Sequence, residues 1–259
     1  MPLEQSIQAY YDDHNMRVLV RDYVYGNKRF DRALQFAIDA TPDNLKRILD
    51  VGCGIGYSSW LLKKAFPEAH ILGIDISDAS IELARKLFRD PELSFETRDF
   101  VSSPPKALFD LVVMLDMYEH IPRKQRPSLC STLHDLIDND GWLVITTPTV
   151  EHQTFLRERH PDRLQIVDED VTLDDLRKLA NALSMTAVRL ERIAVWNVYD
   201  YQHFAACRLK EFKELPAPRP PGFVRKATTK FINIFRTNSQ EIRHQKIKEL
   251  LGFDPLSKE

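Results

Sequence analysis

The 259-residue sequence predicts an α/β chain built on one open sheet of seven strands, parallel except for its last strand, with helices on both faces. Three observations predict it. Between about residues 47 and 209, short apolar runs alternate with helical periodicity, the pattern of a parallel sheet covered on both sides. Gly52, Gly54 and Gly56 place three of the chain's 8 glycines where the first strand must turn into a helix. The last two apolar runs are separated only by Ala194 to Asp200, too little chain for a helical crossover, so they pair antiparallel.

The elements follow in order. Residues 1–44 read as helical, and Arg47 to Val51 as a short strand entering the glycine loop. Trp60, Leu61, Lys64, Ala65 and Phe66 keep a helical rhythm that Pro67 halts. His70 to Ile76 is the second strand. Ser77 then caps a helix with Ile81, Ala84, Leu87 and Phe88 on one face. Leu93 to Arg98 is the third strand, and Asp110 to Leu115 the fourth, apolar enough to lie centrally. Leu129, Leu133, Leu136 and Ile137 mark a helix, Trp142 to Thr146 the fifth strand, and Thr172 caps a helix through Leu183. Thr186 to Ile193 and Tyr201 to Leu209 are the closing pair. Pro216, Pro218, Pro220 and Pro221 open a tail and read as a linker.

Composition narrows the function classes. With 43% hydrophobic and 29% charged residues the chain is ordinary globular protein, which excludes global disorder. The net charge of −2 offers no basic field and argues against a nucleic-acid partner, yet it hides a +6 segment from Arg208 onward against −8 before it. Cys53, Cys130 and Cys207 are an odd set without CxxC spacing, which suits a reducing cytoplasm rather than a disulfide framework. No leader pattern or membrane-length apolar run is present, so the expectation is a soluble cytoplasmic protein.

The loop Asp50-Val-Gly-Cys-Gly-Ile-Gly56 departs from a dinucleotide fingerprint, because Tyr57 stands where the third glycine of that pattern belongs. Asp50 precedes it by two residues, and a carboxylate there suits an amino group or sulfonium rather than a pyrophosphate. Asp75 ends the second strand, where it can accept from both hydroxyls of a ribose. With Arg98-Asp99-Phe100 and the segment Asp110 to Pro122, these features resemble the class I S-adenosylmethionine-dependent methyltransferases over about residues 44–208. The resemblance implies a Rossmann-like methyltransferase domain at 45–209, an N-terminal helical cap at 1–44 and a basic helical tail at 210–259. It implies that Gly52, Gly54 and Gly56 line the methionine portion of S-adenosylmethionine, with Asp50 near its amino group. Asp75 would hold the ribose, Asp99 and Phe100 the adenine edge and face, and Ile76 and Leu115 join the cofactor-binding set.

Methyl transfer needs an aligned acceptor and, for a hydroxyl, removal of its proton. Leu115-Asp-Met-Tyr-Glu-His-Ile-Pro122 follows the fourth strand, in the crevice where open parallel sheets bind ligands. It resembles a segment of the ubiquinone-pathway O-methyltransferases and of small-RNA ribose methyltransferases, which carry Glu-x-x-Glu-His; this chain has Asp116-x-x-Glu119-His120. Three readings stay open. Asp116, Glu119 and His120 hold Mg²⁺, with the shorter aspartate reducing reach; His120 acts as a metal-free base oriented by Glu119; or both cap the next helix.

Further candidates are His160 in a loop-rich stretch with His152, Phe155, Arg157 and Arg159, the aromatics Trp196, Tyr199 and Tyr201, and the lid residues Tyr11, His14 and Arg29. In the tail, Val224, Ala227, Phe231 and Phe235 form an apolar stripe among cations, suited to a peripheral membrane contact or to packing on the domain or a second subunit. The expected activity is O-methylation of a small acceptor such as a sugar, a saccharide precursor or a phenol. RNA ribose methylation and a non-catalytic cofactor-binding partner are the alternatives.

Overall fold

The computed structural model describes residues 3–208 and 240–257, without the side chains of 3–9 and 13–16. Its strands are β1 (Arg47–Val51), β2 (His70–Asp75), β3 (Leu93–Thr97), β4 (Phe109–Leu115), β5 (Ile137–Pro148), β6 (Thr186–Ile193) and β7 (Tyr201–Cys207). They form one sheet in the order β3-β2-β1-β4-β5-β7-β6. β1 to β5 are parallel, and β7 runs antiparallel to both β5 and β6. The expected architecture therefore holds, and the last strand inserts between β5 and β6. That position explains why every β7 residue is buried while β6, at the edge, is exposed over Thr186 to Leu190.

The helices are α1 (Leu3–Tyr25), α2 (Lys28–Ala40), α3 (Tyr57–Ala65), α4 (Asp78–Leu87), α5 (Arg126–Leu136), α6 (Val150–Arg159), α7 (Leu173–Ala182) and α8 (Gln240–Leu251). One face of the sheet packs Ile48, Ile71 and Val113 against Leu34, Leu62 and Ile81 from α2, α3 and α4. The other packs Leu49, Val112 and Ile145 against Leu129, Leu133, Leu176 and Leu179 from α5 and α7. Both faces of β1 and β4 are thus withdrawn from water, and each fully buried Leu or Ile contributes roughly 2–3 kcal/mol. Ser77 caps α4 as expected, accepting from the Ser80 amide at 3.1 Å. Thr172 forms a capping box with Asp175 on α7.

Two expectations are corrected. Residues 150–159 form a helix rather than a loop, because Thr149 accepts from the His152 amide at 3.3 Å and the Thr149 amide donates to Asp200 O at 2.9 Å. α6 lacks an apolar stripe, which is why periodicity does not reveal it. Ile137 belongs to β5, not to the preceding helix: it pairs with Phe109 ahead of a register shift.

The tail's proline linker and its stripe from Val224 to Phe235 lie outside the described residues. α8 packs beside α1: Ile247 is fully buried, Arg243 donates to Tyr23 O at 2.9 Å, and Lys246 donates to Leu87 O at 2.9 Å. Asp12 of α1 accepts from Ser77 Oγ at 2.5 Å, so the N-terminal helix also grips the start of α4.

Candidate active site

The C-terminal ends of β1, β2, β4 and β5, roofed by α1 and α2, enclose a cleft of about 850 Å³. Its floor is the turn after β1. The amides of Gly52 and Cys53 both donate to Ile74 O, at 2.8 and 3.0 Å, which folds the turn back over β2. Gly52 sits at φ +76°, and a Cβ there would lie 2.6 Å from Met117 Cγ, so only glycine leaves this surface open. Gly56 sits at φ +81° as the N-cap of α3, where a Cβ would meet the Phe95 ring at 2.6 Å.

The expected donor-binding residues divide into two sets. Gly52, Asp75, Ile76, Asp99, Phe100 and Leu115 line the cleft. Asp75 accepts from the Gly54 amide at 2.8 Å and the Ser77 amide at 2.9 Å, which aims its carboxylate across the turn. Burial raises its pKa against these hydrogen bonds. Asp99 accepts from the Val101 amide at 2.9 Å, and Phe100 is buried beside it. Asp50, Gly54 and Gly56 lie behind this surface instead. Asp50 is buried and accepts from Ser58 Oγ at 2.5 Å and Ser59 Oγ at 2.7 Å. Burial lifts its pKa to about 6 despite both hydroxyls, and of this group Ser58 is the residue that reaches the cleft. Gly54 is covered by Leu19 of α1.

Over β4 and β5 the expected metal triad is not assembled. Asp116 adopts φ +52° and turns its carboxylate to Arg29 Nε at 2.9 Å, with Thr146 Oγ1 donating to its other oxygen at 3.3 Å. His120 Nδ1–H donates to Val167 O at 2.7 Å and faces Asp168 Oδ1 at 3.2 Å. Among the described residues no group of three His, Cys, Asp or Glu side chains is arranged to hold a metal ion. The donor set of Asp116, Glu119 and His120 does not fit Mg²⁺, because an arginine and a backbone carbonyl already hold two of its members.

The structure assembles an imidazole–carboxylate pair there. Burial disfavours a charge on His120, but Asp168, Glu119 and the Val167 carbonyl outweigh it and raise the imidazole to about 9. With Nδ1 committed as a donor, Nε2 carries the proton that titrates. Burial pushes Asp168 upward, while His120, the Gln165 amide and Gln153 hold it below the usual carboxylate range. Glu119 is buried with Oε2 unpartnered among the described residues, and burial raises its carboxyl. The loop bearing Asp168 is held by the Glu169 amide on Glu119 O at 2.9 Å and by Arg157 on Asp170 at 2.6 Å.

Sequence reasoning missed Asp168, which stands in the acid-rich run Asp168-Glu-Asp170 with nothing to set it apart. It also missed Gln153 on α6 and Asp200. Asp200 accepts from the amides of Val195, Trp196 and Asn197 at 2.7, 2.9 and 2.9 Å and so fixes the turn that carries Trp196. Trp196 and Tyr201 line the cleft, whereas Tyr199 is exposed away from it and His160 packs on Phe155. Of the lid candidates, Tyr11 and Arg29 line the cleft, and the side chain of His14 lies outside those described.

Comparison with known proteins finds methyltransferases that share this fold. A family profile described as "Methyltransferase domain" matches residues 48–141. A malonyl-[acyl-carrier protein] O-methyltransferase of Acetivibrio thermocellus is 30% identical over 136 residues, 51% of this chain and 46% of that protein. A ubiquinone biosynthesis O-methyltransferase of Actinobacillus pleuropneumoniae is 32% identical over 110 residues, 39% of this chain and 45% of its own. The chain spans about half the length of the curated relatives it matches. A magnesium protoporphyrin IX methyltransferase from Synechocystis, solved with bound SAH, superimposes with a TM-score of 0.60 at 21% identity, covering 79% of this chain and 99% of that one.

Proposed function

We propose that this chain, which carries a class I S-adenosylmethionine-dependent methyltransferase domain, methylates a hydroxyl of a small acceptor. The observation that carries the reading is the division of one cleft. Asp75, Asp99 and Phe100 stand over β2 and β3, His120 and Asp168 over β4 and β5, with the open Gly52 surface between them.

The residues present fit the donor. Asp75 would hold the ribose hydroxyls, Asp99 and Phe100 the adenine edge and face, and Gly52 the amino-acid portion. S-adenosylmethionine, when bound, supplies an activated methyl group, whose bond to sulfur breaks as the new C–O bond forms. His120 Nε2 takes the hydroxyl proton, while Asp168 and Val167 O hold Nδ1–H and offset the positive charge that results. Tyr11 and Leu19 of the roof exclude water. Among the described residues seven carboxylates and four arginines line the cleft, a balance that favours a small acceptor over a polyanionic RNA strand. No helix among the described residues is long and apolar enough to cross a membrane, and a cytoplasmic location suits the three free cysteines.

The test is calorimetry with S-adenosylhomocysteine followed by a labelled-methyl acceptor screen with and without EDTA. We expect binding that Asp75→Ala abolishes, and transfer that is indifferent to EDTA and lost in His120→Ala. Failure to bind the thioether product would refute the reading.

A further inference from the structure

The walls of the acceptor half hold their charges in pairs. Over β4 and β5 stand Asp116, Glu119 and Asp168, and facing them are the Arg29 guanidinium, 2.9 Å from Asp116 and 3.4 Å from Tyr201 OH, and the His120 imidazole, 3.2 Å from Asp168. The other lining arginines are Arg98, bound by Glu96 at 2.5 Å, Arg21 beside Asp22 at 3.6 Å, and Arg163 on the exposed rim next to Asp162. Among the described residues no lysine lines the cleft. An acceptor bearing a carboxylate would be desolvated beside two buried cations that already hold aspartates as partners.

The same wall holds buried polar atoms without partners among the described residues, the donor Tyr11 OH as well as acceptors. Glu119 Oε2, His152 Nδ1 and Gln153 Oε1 belong to lining residues that are more than nine-tenths buried, and none has a hydrogen-bond partner among the described residues. Gln153 spends its amide N–H on Asp168, so its oxygen can only accept. Burial keeps His152 below the ordinary imidazole range, hence neutral, with one ring nitrogen donating and the other accepting. Leaving such atoms unpaired costs about 1–3 kcal/mol each, which a ligand rich in hydroxyl groups recovers. At the rim, Trp196 is 56% exposed, yet its turn is fixed by Asp200 and its ring stands edge-on to Tyr201 at 5.9 Å. A rigid exposed indole beside a polar wall suits a ring with one apolar C–H face and a hydroxylated edge.

On the methyltransferase reading above, we propose that the acceptor is an uncharged polyhydroxylated ring, a neutral glycosyl unit, seated on Trp196 with its hydroxyls toward His152, Gln153 and Glu119. Carboxylate-bearing acceptors are disfavoured because the buried cations of this wall, Arg29 and His120, are already paired.

Matched pairs test it: p-nitrophenyl hexosides against the corresponding uronides, which differ by one carboxylate, as acceptors for the full chain and S-adenosylmethionine. We expect labelled methyl in at least one neutral glycoside, with kcat/KM about 100-fold above its uronide. Trp196→Ala should raise KM about 10-fold with kcat little changed, and Trp196→Phe should recover most of it. S-adenosylhomocysteine affinity should be the same in all three proteins. Equal or better transfer to the uronide, or no transfer to any glycoside by a chain that binds S-adenosylhomocysteine, would overturn the proposal. Loss of that binding in the parent chain would instead remove the methyltransferase reading.

Discussion

His120 Nδ1 lies 3.2 Å from Asp168 Oδ1, across 48 residues of sequence, and the imidazole it belongs to is raised to about 9. A base works in its neutral form, so turnover should climb with pH through about 9 rather than level off in the ordinary histidine range. Asp168→Asn removes the charge that favours imidazolium. The pH–rate limb should then move to lower pH while the maximal rate falls, because the imidazolium formed in the transition state is less well stabilised. A limb that stays in place in kcat against pH would deny Asp168 this role.

Arg29 and Asp116 meet at 2.9 Å on the cleft wall, and Asp116 keeps a left-handed backbone to reach that pair. Removing the cation alone strands a buried carboxylate. Arg29→Met should therefore lower stability by about 3 kcal/mol, and adding Asp116→Asn should return much of it. Urea unfolding of the two single variants and the double variant measures the coupling; additive losses would show that the pair is not an energetic unit.

Asp50 is charged at neutral pH although burial raises it to about 6. A carboxyl whose folded pKa lies above its unfolded value stabilises the fold when protonated and loses that contribution as pH rises through the folded value. Asp50→Asn keeps an acceptor for Ser58 and Ser59 without the charge. It should stabilise the fold by up to about 3 kcal/mol at pH 8 and by almost nothing at pH 4, read as Tm against pH. A variant less stable at pH 8 than at pH 4, relative to the parent, would contradict this.

Gly52 combines φ +76° with a 2.6 Å approach of any Cβ to Met117. Gly52→Ala should weaken S-adenosylhomocysteine binding by at least about 10-fold, with strain of about 1–2 kcal/mol in the turn. Adding Met117→Ala removes the clash but not the backbone strain, so calorimetry should show partial recovery. Full recovery would mean that only the clash matters.

The β-strands were legible because each combines a run of apolar residues with a turn signal, and those signals act within a few residues. The glycine turn and the acids Asp75 and Asp99 were legible for the same reason: each sits at a strand end whose geometry dictates what it meets. α6 was hidden because its helix rests on one cap at Thr149 rather than on an apolar stripe. The metal reading of Asp116, Glu119 and His120 failed at a different level. Spacing places three side chains near one another, but Arg29, 87 residues upstream of Asp116, and Val167 and Asp168, downstream of His120, claim their atoms.

By itself, then, the sequence determined the doubly wound sheet, the glycine turn after β1 and the acids at the strand ends, since local propensity and hydrophobic period act along the chain. Only the tertiary structure decided which carboxylate pairs with His120, where Arg29 spends its charge and which polar atoms remain for an acceptor. Those outcomes depend on long-range burial. A buried charge or amide must find its partner across the fold, and which one it finds is set by packing that no short stretch of sequence contains.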